Sequence, residues 1–476
     1  MTERIPKSIL TAAVVMGMIV LVYLAYLRPA YFTSRTYLGG LLLCELLTAA
    51  VWMYRRVFFA LVVVSFLLAG VSLPVGSAWA MVRWVVLGVG AMVGCAMVLK
   101  EQRCHFGLFH ALAFFAVLSA LVSAAVSRYT FLALSKALSL FLLFAYASTG
   151  ARLAVTGRES RFFSGLIIGC EVLVGALAAF YFLGIEVMGN PNSLGAVMGV
   201  AAAPILLWAV LISKERFANH RRLALFAISM YLTFSSHARA SIVAAFLSCG
   251  LLCLVLRKYR MLAQGLAVMA IFIAASAIFR PEAFSRAVSS FNSSIVYKGR
   301  DPSQGILSSR QSPWQEAIDS IRSHFWFGTG FGTADNGQDA TAKLAKFSST
   351  AETSAELGSS YLAITTWVGM LGVLPFFWLV FVLLRKVVQT IRWMVKTGNA
   401  SHAAVPLAMV MLAGMIHAAL EDWMFAPGYY LCVFYWSMAF VFMDYAPSPV
   451  PAFSRLAFSP PAKTVRQSMG EVTPSQ

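Results

Sequence analysis

The chain has 476 residues, of which 60% are hydrophobic and only 12% charged, whereas a soluble domain carries about 25% charged residues. A net charge of +18 raises nucleic acid as a partner, but the basic residues sit in short clusters between apolar runs and form no continuous face, which argues against nucleic acid. Apolar runs of bilayer length, without the alternating polarity of barrel strands, imply an all-α polytopic membrane helical bundle.

Taken in chain order, the apolar runs predict about fourteen crossings. The first seven lie near 8 to 27, 37 to 54, 57 to 73, 78 to 99, 106 to 126, 130 to 148 and 162 to 184. Seven more lie near 193 to 212, 223 to 236, 238 to 256, 261 to 279, 359 to 384, 402 to 420 and 427 to 444. Ser8 to Leu27 follows Arg4 and Lys7 as a signal peptide would, but no small-residue cleavage site precedes Arg28-Pro29, so the stretch reads as a retained first helix.

Basic residues concentrate in alternate connections, for example Arg55 with Arg56, Lys100 with Arg103, Arg152 with Arg158 and Arg161, Lys214 to Arg222, and Arg385 to Lys396. The opposite short connections hold only Arg28, Arg35, Arg128 and Arg239, and one ends in the acidic pair Glu421 and Asp422. The positive-inside rule then places both termini in the cytoplasm and turns the one large loop, Arg280 to Ala355, outward as a periplasmic loop containing short helices. The chain divides into N-terminal transmembrane helices (1–184), a core of transmembrane helices (185–279), the periplasmic loop (280–358), C-terminal transmembrane helices (359–444) and a Pro-rich disordered cytoplasmic tail (445–476).

The runs 223 to 236 and 238 to 256 nearly touch, which predicts a break or re-entrant turn at Ser235-Ser236-His237-Ala238-Arg239. Non-helical backbone at that depth survives only against protein or water. In the loop, Trp314, Ala317, Ile318 and Ile321 fall at helical spacing, with Ser312 as cap and Pro313 in the first turn, so a short amphipathic helix is expected. Gly328, Gly330 and Gly332 alternate after it and read as a tight turn, because a phosphate loop would add a following Lys and a preceding strand. The seven cysteines lie in or beside apolar runs without paired spacing, so neither a disulfide framework nor a metal site is expected.

Two arginines carry the chemistry best. A guanidinium is charged at any envelope pH and matches phosphate oxygens with a planar fork of donors. Arg239, between two apolar runs, requires a partner: a bound anion, or Glu421, Asp422 or a helix carbonyl. Arg310 stands in the polar stretch before the loop helix and is either a phosphate-gripping residue or an ordinary loop charge. Glu356, where the loop re-enters the membrane, is either a buried general base or a helix N-terminal charge. His237, His324 and His417 lack ligand spacing, and Asn190-Pro191-Asn192-Ser193 reads as a turn with a helix cap.

Several segments in order resemble the O-antigen ligase and Wzy-type polymerase superfamily of bacterial envelope glycan enzymes. They are Gly189 to Gly195, Ser235 to Ser241, Arg310 with Trp314, Gly328 to Gly332, Ser359-Ser360-Tyr361-Leu362 with Gly369 to Gly372, and His417 to Trp423 with Trp436. The resemblance implies a metal-independent glycosyltransferase, without cofactor, acting on undecaprenyl-diphosphate-linked glycan at the periplasmic face of the inner membrane. It implies Arg239 and Arg310 as the diphosphate grip, Glu356 as base, and His237, Trp314, Ser359, Ser360 and Tyr361 as substrate-binding residues, with the lipid bilayer and a chain-length regulator as partners. Ligases of the superfamily carry a His near the position held here by Gly358, which favours an exopolysaccharide or O-antigen polymerase. A lipid-linked oligosaccharide flippase and a protein O-oligosaccharyl ligase are the rival readings.

Overall fold

The computed structural model describes residues 35–72, 76–101, 106–188, 190–213, 215–279, 308–333 and 357–447, with isolated positions between 16 and 28 and between 282 and 289. The described elements belong to one unit that ends at Ala446. Most of the expected first helix, most of the polar loop, Glu356 and nearly all of the tail lie outside the described residues.

Within a bilayer the backbone has no water to bond, so each crossing must satisfy its own amides. The described elements are accordingly helices, and the β-bridge Val71–Met188 is the one strand-like pairing among them. In order they are α1 (Arg35–Ala69), α2 (Gly76–Glu101), α3 (Leu108–Val126), α4 (Thr130–Val155), α5 (Glu159–Phe182), α6 (Pro191–Ile212) and α7 (Arg216–Ser235). There follow α8 (Arg239–Val255), α9 (Tyr259–Phe279), α10 (Ser308–Ser323), α11 (Ser360–Thr397), α12 (Ala404–Ala418) and α13 (Tyr430–Tyr445). Seven of the described helices are long and apolar enough to cross a membrane, and α8, α12 and α13 are shorter apolar helices.

The expected crossings 37 to 54 and 57 to 73 meet within α1 at a kink at Met53 (φ −133°, ψ 19°), which separates two helices. Past the expected end of its span, α4 passes through a wide π-helical turn at Ala147–Ala151 and continues to Val155. This corrects the reading of Arg152 as a cytoplasmic loop charge. It is 2% exposed, with Nε and Nη2 on the Asp444 carboxylate (2.6 and 2.7 Å) and Nη1 2.9 Å from His110 Nε2. Arg221 and Arg222, also expected in a connection, stand on α7 and pair with Glu171 of α5 at 2.7 and 3.1 Å.

The bundle keeps its two ends distinct. At one end Ser72 N–H donates to the Val187 carbonyl (2.9 Å), Tyr430 to the Ser193 carbonyl (3.1 Å) and Ser127 to the Thr329 carbonyl (2.8 Å). At the other, Trp208 donates to the Ala400 carbonyl (2.7 Å), Tyr445 to the Glu159 carboxylate (2.8 Å) and Arg158 to the Arg55 carbonyl. Each pairing joins connections that the alternation of basic residues assigns to one side. The centre of the core is α6, 89% buried over its apolar window and packed on α12, which in turn packs on α13, where Tyr435 and Trp436 are fully enclosed. Small residues permit this approach: a Cβ on Gly414 would stand 2.2 Å from the Tyr435 ring.

Candidate functional site

The site is assembled at the end of the bundle that holds the helix breaks. At Ser236 α7 stops, His237 takes a left-handed φ of 53°, Ala238 is extended, and Arg239 opens α8. Ser236 Oγ donates to the Thr233 carbonyl (2.7 Å) and accepts from Ala238 N–H (3.3 Å), so the turn closes on its own polar groups. The expected break is therefore present. Asn190 caps α6 by accepting from Asn192 N–H (2.8 Å), and Pro191 occupies the first turn. Gly195 and Gly199 then lie against the break: an added Cβ would meet Ser236 Oγ at 2.3 Å and the Ser241 carbonyl at 2.6 Å. Two motifs about forty-five residues apart in sequence thus share one packed seam.

From the loop, α10 forms over the expected amphipathic stretch and turns Ala317 fully inward. Arg310 in its first turns is buried, and its Nη2 forms an ion pair with Glu421 Oε1. Arg239 stands within electrostatic reach of both: Arg310 repels it and Glu421 attracts it. Two guanidiniums from distant parts of the chain are therefore brought within electrostatic reach of one carboxylate, and Arg310 contacts it. Glu421 came out of the sequence as a possible partner of Arg239, and it forms an ion pair with Arg310.

Helix α11 supplies the floor. Gly358, with φ 66°, passes beneath Arg310 and Trp314: an added Cβ would lie 3.2 Å from Arg310 Cδ and 3.3 Å from Trp314 Nε1. Trp314 Nε1–H donates to the Gly358 carbonyl (3.2 Å). A side chain at position 358 would be strained and would press on Arg310. Ser359, 5% exposed, precedes α11 in extended backbone. The Ser360 hydroxyl donates to the Glu421 carbonyl (2.6 Å) and accepts from Met424 N–H (3.0 Å), and Leu357 N–H donates to Asp422 Oδ2 (3.1 Å). Tyr361 donates to the Met415 carbonyl (3.1 Å). The Ser360 hydroxyl thus holds the segment that carries the two acids, and the Tyr361 hydroxyl holds the end of α12 that leads into it.

His417 is 2% exposed and committed on both ring nitrogens. Trp423 Nε1–H donates to Nδ1 (2.6 Å), and indole is a donor only, so the neutral ring carries its proton on Nε2 and gives it to Ser241 Oγ (3.0 Å). It ties α8, α12 and the acidic segment together. His237 is exposed at the break. His324 follows α10, accepting Gly328 N–H at its carbonyl (3.0 Å).

The alternating glycines mesh with a break in α11 at Gly369 (φ 67°). Thr329 and Gly330 N–H donate to the Thr366 and Trp367 carbonyls, and Met370 N–H to the Phe325 carbonyl, at 2.8–3.0 Å. A Cβ on Gly328 or Gly369 would lie 2.4 Å from a backbone oxygen of the other strand of this junction. These amides are committed to the junction, as a structural turn requires. Sequence reasoning passed over Lys136 of α4, which donates to the Gly332 carbonyl, and Arg83 of α2, 3% exposed, which donates to the Gly428 carbonyl (2.8 Å). The signal for both was an ionisable residue inside an apolar run.

No curated protein matches the chain. Residues 222–377 match the family described as O-antigen ligase, a segment that spans the α7–α8 break, Arg239, Arg310, the glycine junction and Ser359–Tyr361. This core, set among apolar membrane-length helices, supports the resemblance of the chain to the O-antigen ligase and Wzy-type polymerase superfamily.

Proposed function

We propose that the chain is a metal-independent glycosyltransferase that polymerises or transfers glycan carried on undecaprenyl diphosphate at the periplasmic face of the bacterial inner membrane, with both termini cytoplasmic. The observation that carries the reading is the ion pair of Arg310 with Glu421, with Arg239 within electrostatic reach of both, at one end of the helical bundle. The two guanidiniums offer planar forks of donors that match the oxygens of a diphosphate. In the reaction, the acceptor hydroxyl oxygen bonds to the anomeric carbon as the bond from that carbon to the phosphate oxygen breaks. The electron pair leaves on undecaprenyl diphosphate, and the two arginines stabilise the charge that develops there. Glu356 takes the acceptor proton and the configuration inverts.

His237, Trp314, Ser359, Ser360 and Tyr361 border this centre and shape the donor pocket in this reading. Polymerase is favoured over ligase because Gly358 packs where the ligases carry His. The test is Arg239→Lys and Arg310→Lys, which keep the charge and lose the fork. Both variants are expected to reach the membrane at normal level and to abolish polymer assembly; full activity in both overturns the mechanism.

A further inference from the structure

Helix lengths set the level of the site relative to the bilayer. Helix α8 runs 17 residues from Arg239 and α3 runs 19 residues to Val126, about 26 and 28 Å at 1.5 Å per residue, close to the roughly 30 Å of a hydrocarbon core. Arg239 and Ser127, at corresponding ends of these helices, therefore mark one boundary. Helix α10 starts with Arg310 beside Arg239 and Glu421, and the turn after it is bonded to Ser127 through Thr329. Both of its ends lie at that boundary, so α10 lies along the bilayer surface. The start of α11 runs with it, from Ser360 at Glu421 to Trp367, whose carbonyl accepts from Ser123 (2.6 Å). At Gly369 the helix breaks and turns into the membrane.

At this corner Phe325, Trp326 and Phe327 are 45, 59 and 44% exposed, continuous with Met370, Leu371 and Leu374 at 40, 54 and 64%. The latter residues begin the lipid-facing flank of α11. We propose that Phe325, Trp326 and Phe327 are a membrane-interface foot whose partner is the headgroup boundary of the phospholipid leaflet at the site end, where aromatic rings partition. The foot fixes the far end of α10 in the leaflet and so holds Arg310 at the depth of a lipid-borne diphosphate; that purpose rests on the proposed function, while the seating itself does not.

The test uses the full chain in phosphatidylcholine–phosphatidylglycerol nanodiscs with 5-fluorotryptophan incorporated. The ¹⁹F resonance that disappears in Trp326→Phe reports on Trp326. It is expected to broaden with headgroup-nitroxide lipid and to resist a water-soluble gadolinium chelate. Broadening by the chelate alone, which means water covers the corner, or by neither reagent, which means protein covers it, overturns the proposal. Replacing all three rings by serine is expected to lower transfer from a long-chain lipid donor at least about tenfold through lost positioning, with a short water-soluble prenyl donor unaffected; equal losses on both donors overturn the positioning role. The resonance is read without turnover, so failure of the Arg→Lys test leaves the seating standing, and failure of the seating leaves the glycosyl-transfer reading intact.

Discussion

Removing the Glu421 carboxylate measures what it costs to hold two guanidiniums together. The side chains of Arg310 and Glu421 are only 10 and 15% exposed, so the pair falls in the buried regime, where deleting one partner costs about 3–5 kcal/mol, and not in the exposed regime of under about 1 kcal/mol. Glu421→Ala leaves the main-chain bonds from Ser360 in place, because those are made to the Glu421 carbonyl, and strands Arg310 opposite the like charge of Arg239. Adding Arg310→Met removes the stranded cation and keeps the packing volume. The double variant is therefore expected to be more stable than the sum of the single losses by about 1–3 kcal/mol. The assay is reversible unfolding by dodecyl sulfate in mixed micelles, with Arg221→Ala as the exposed-pair control, since Arg221 is 49% exposed on Glu171. A Glu421→Ala loss below about 1 kcal/mol, or additivity within about 0.5 kcal/mol, refutes the claim that the carboxylate holds the arginine pair.

The glycine junction and the buried histidine make separate predictions. Gly184→Ala, at φ 72° with nothing within 4 Å, should cost the backbone strain alone, about 1–2 kcal/mol, whereas Gly328→Ala adds overlap with the Trp367 carbonyl and should cost about 1–3 kcal/mol more; equal losses in the same unfolding assay contradict the junction. Ser241→Ala should lose about 1–3 kcal/mol by leaving the His417 Nε2–H without its acceptor. His417→Gln should leave the shape of the pH–activity profile unchanged, and loss of a limb from that profile counts against the positioning role assigned to the ring.

Much of the bundle was legible because hydrophobic length and capping chemistry are local. Asn190-Pro191 announced the start of α6, the short polar interruption at Ser235–Arg239 announced the α7–α8 turn, and the spacing of Trp314, Ala317 and Ile321 announced α10. Hydropathy erred where charge was cancelled at a distance. Arg152 continues a helix because Asp444, almost three hundred residues away, neutralises it, and no local window contains both. Lys136 and Arg83 were passed over for a related reason: their hydrogen-bond acceptors are carbonyls of segments far along the chain.

By itself the sequence determined that this protein is a helical membrane bundle and that its arginines, carboxylates and glycine run are the residues of interest, since solvation, helix period and turn chemistry act over a few neighbours. Only the tertiary structure decided that Arg310 pairs with Glu421, that His417 is committed on both nitrogens, and that Gly358 lies where a side chain would press on Arg310. Those outcomes depend on which helix ends pack together, and packing is set by contacts between residues that the chain keeps far apart.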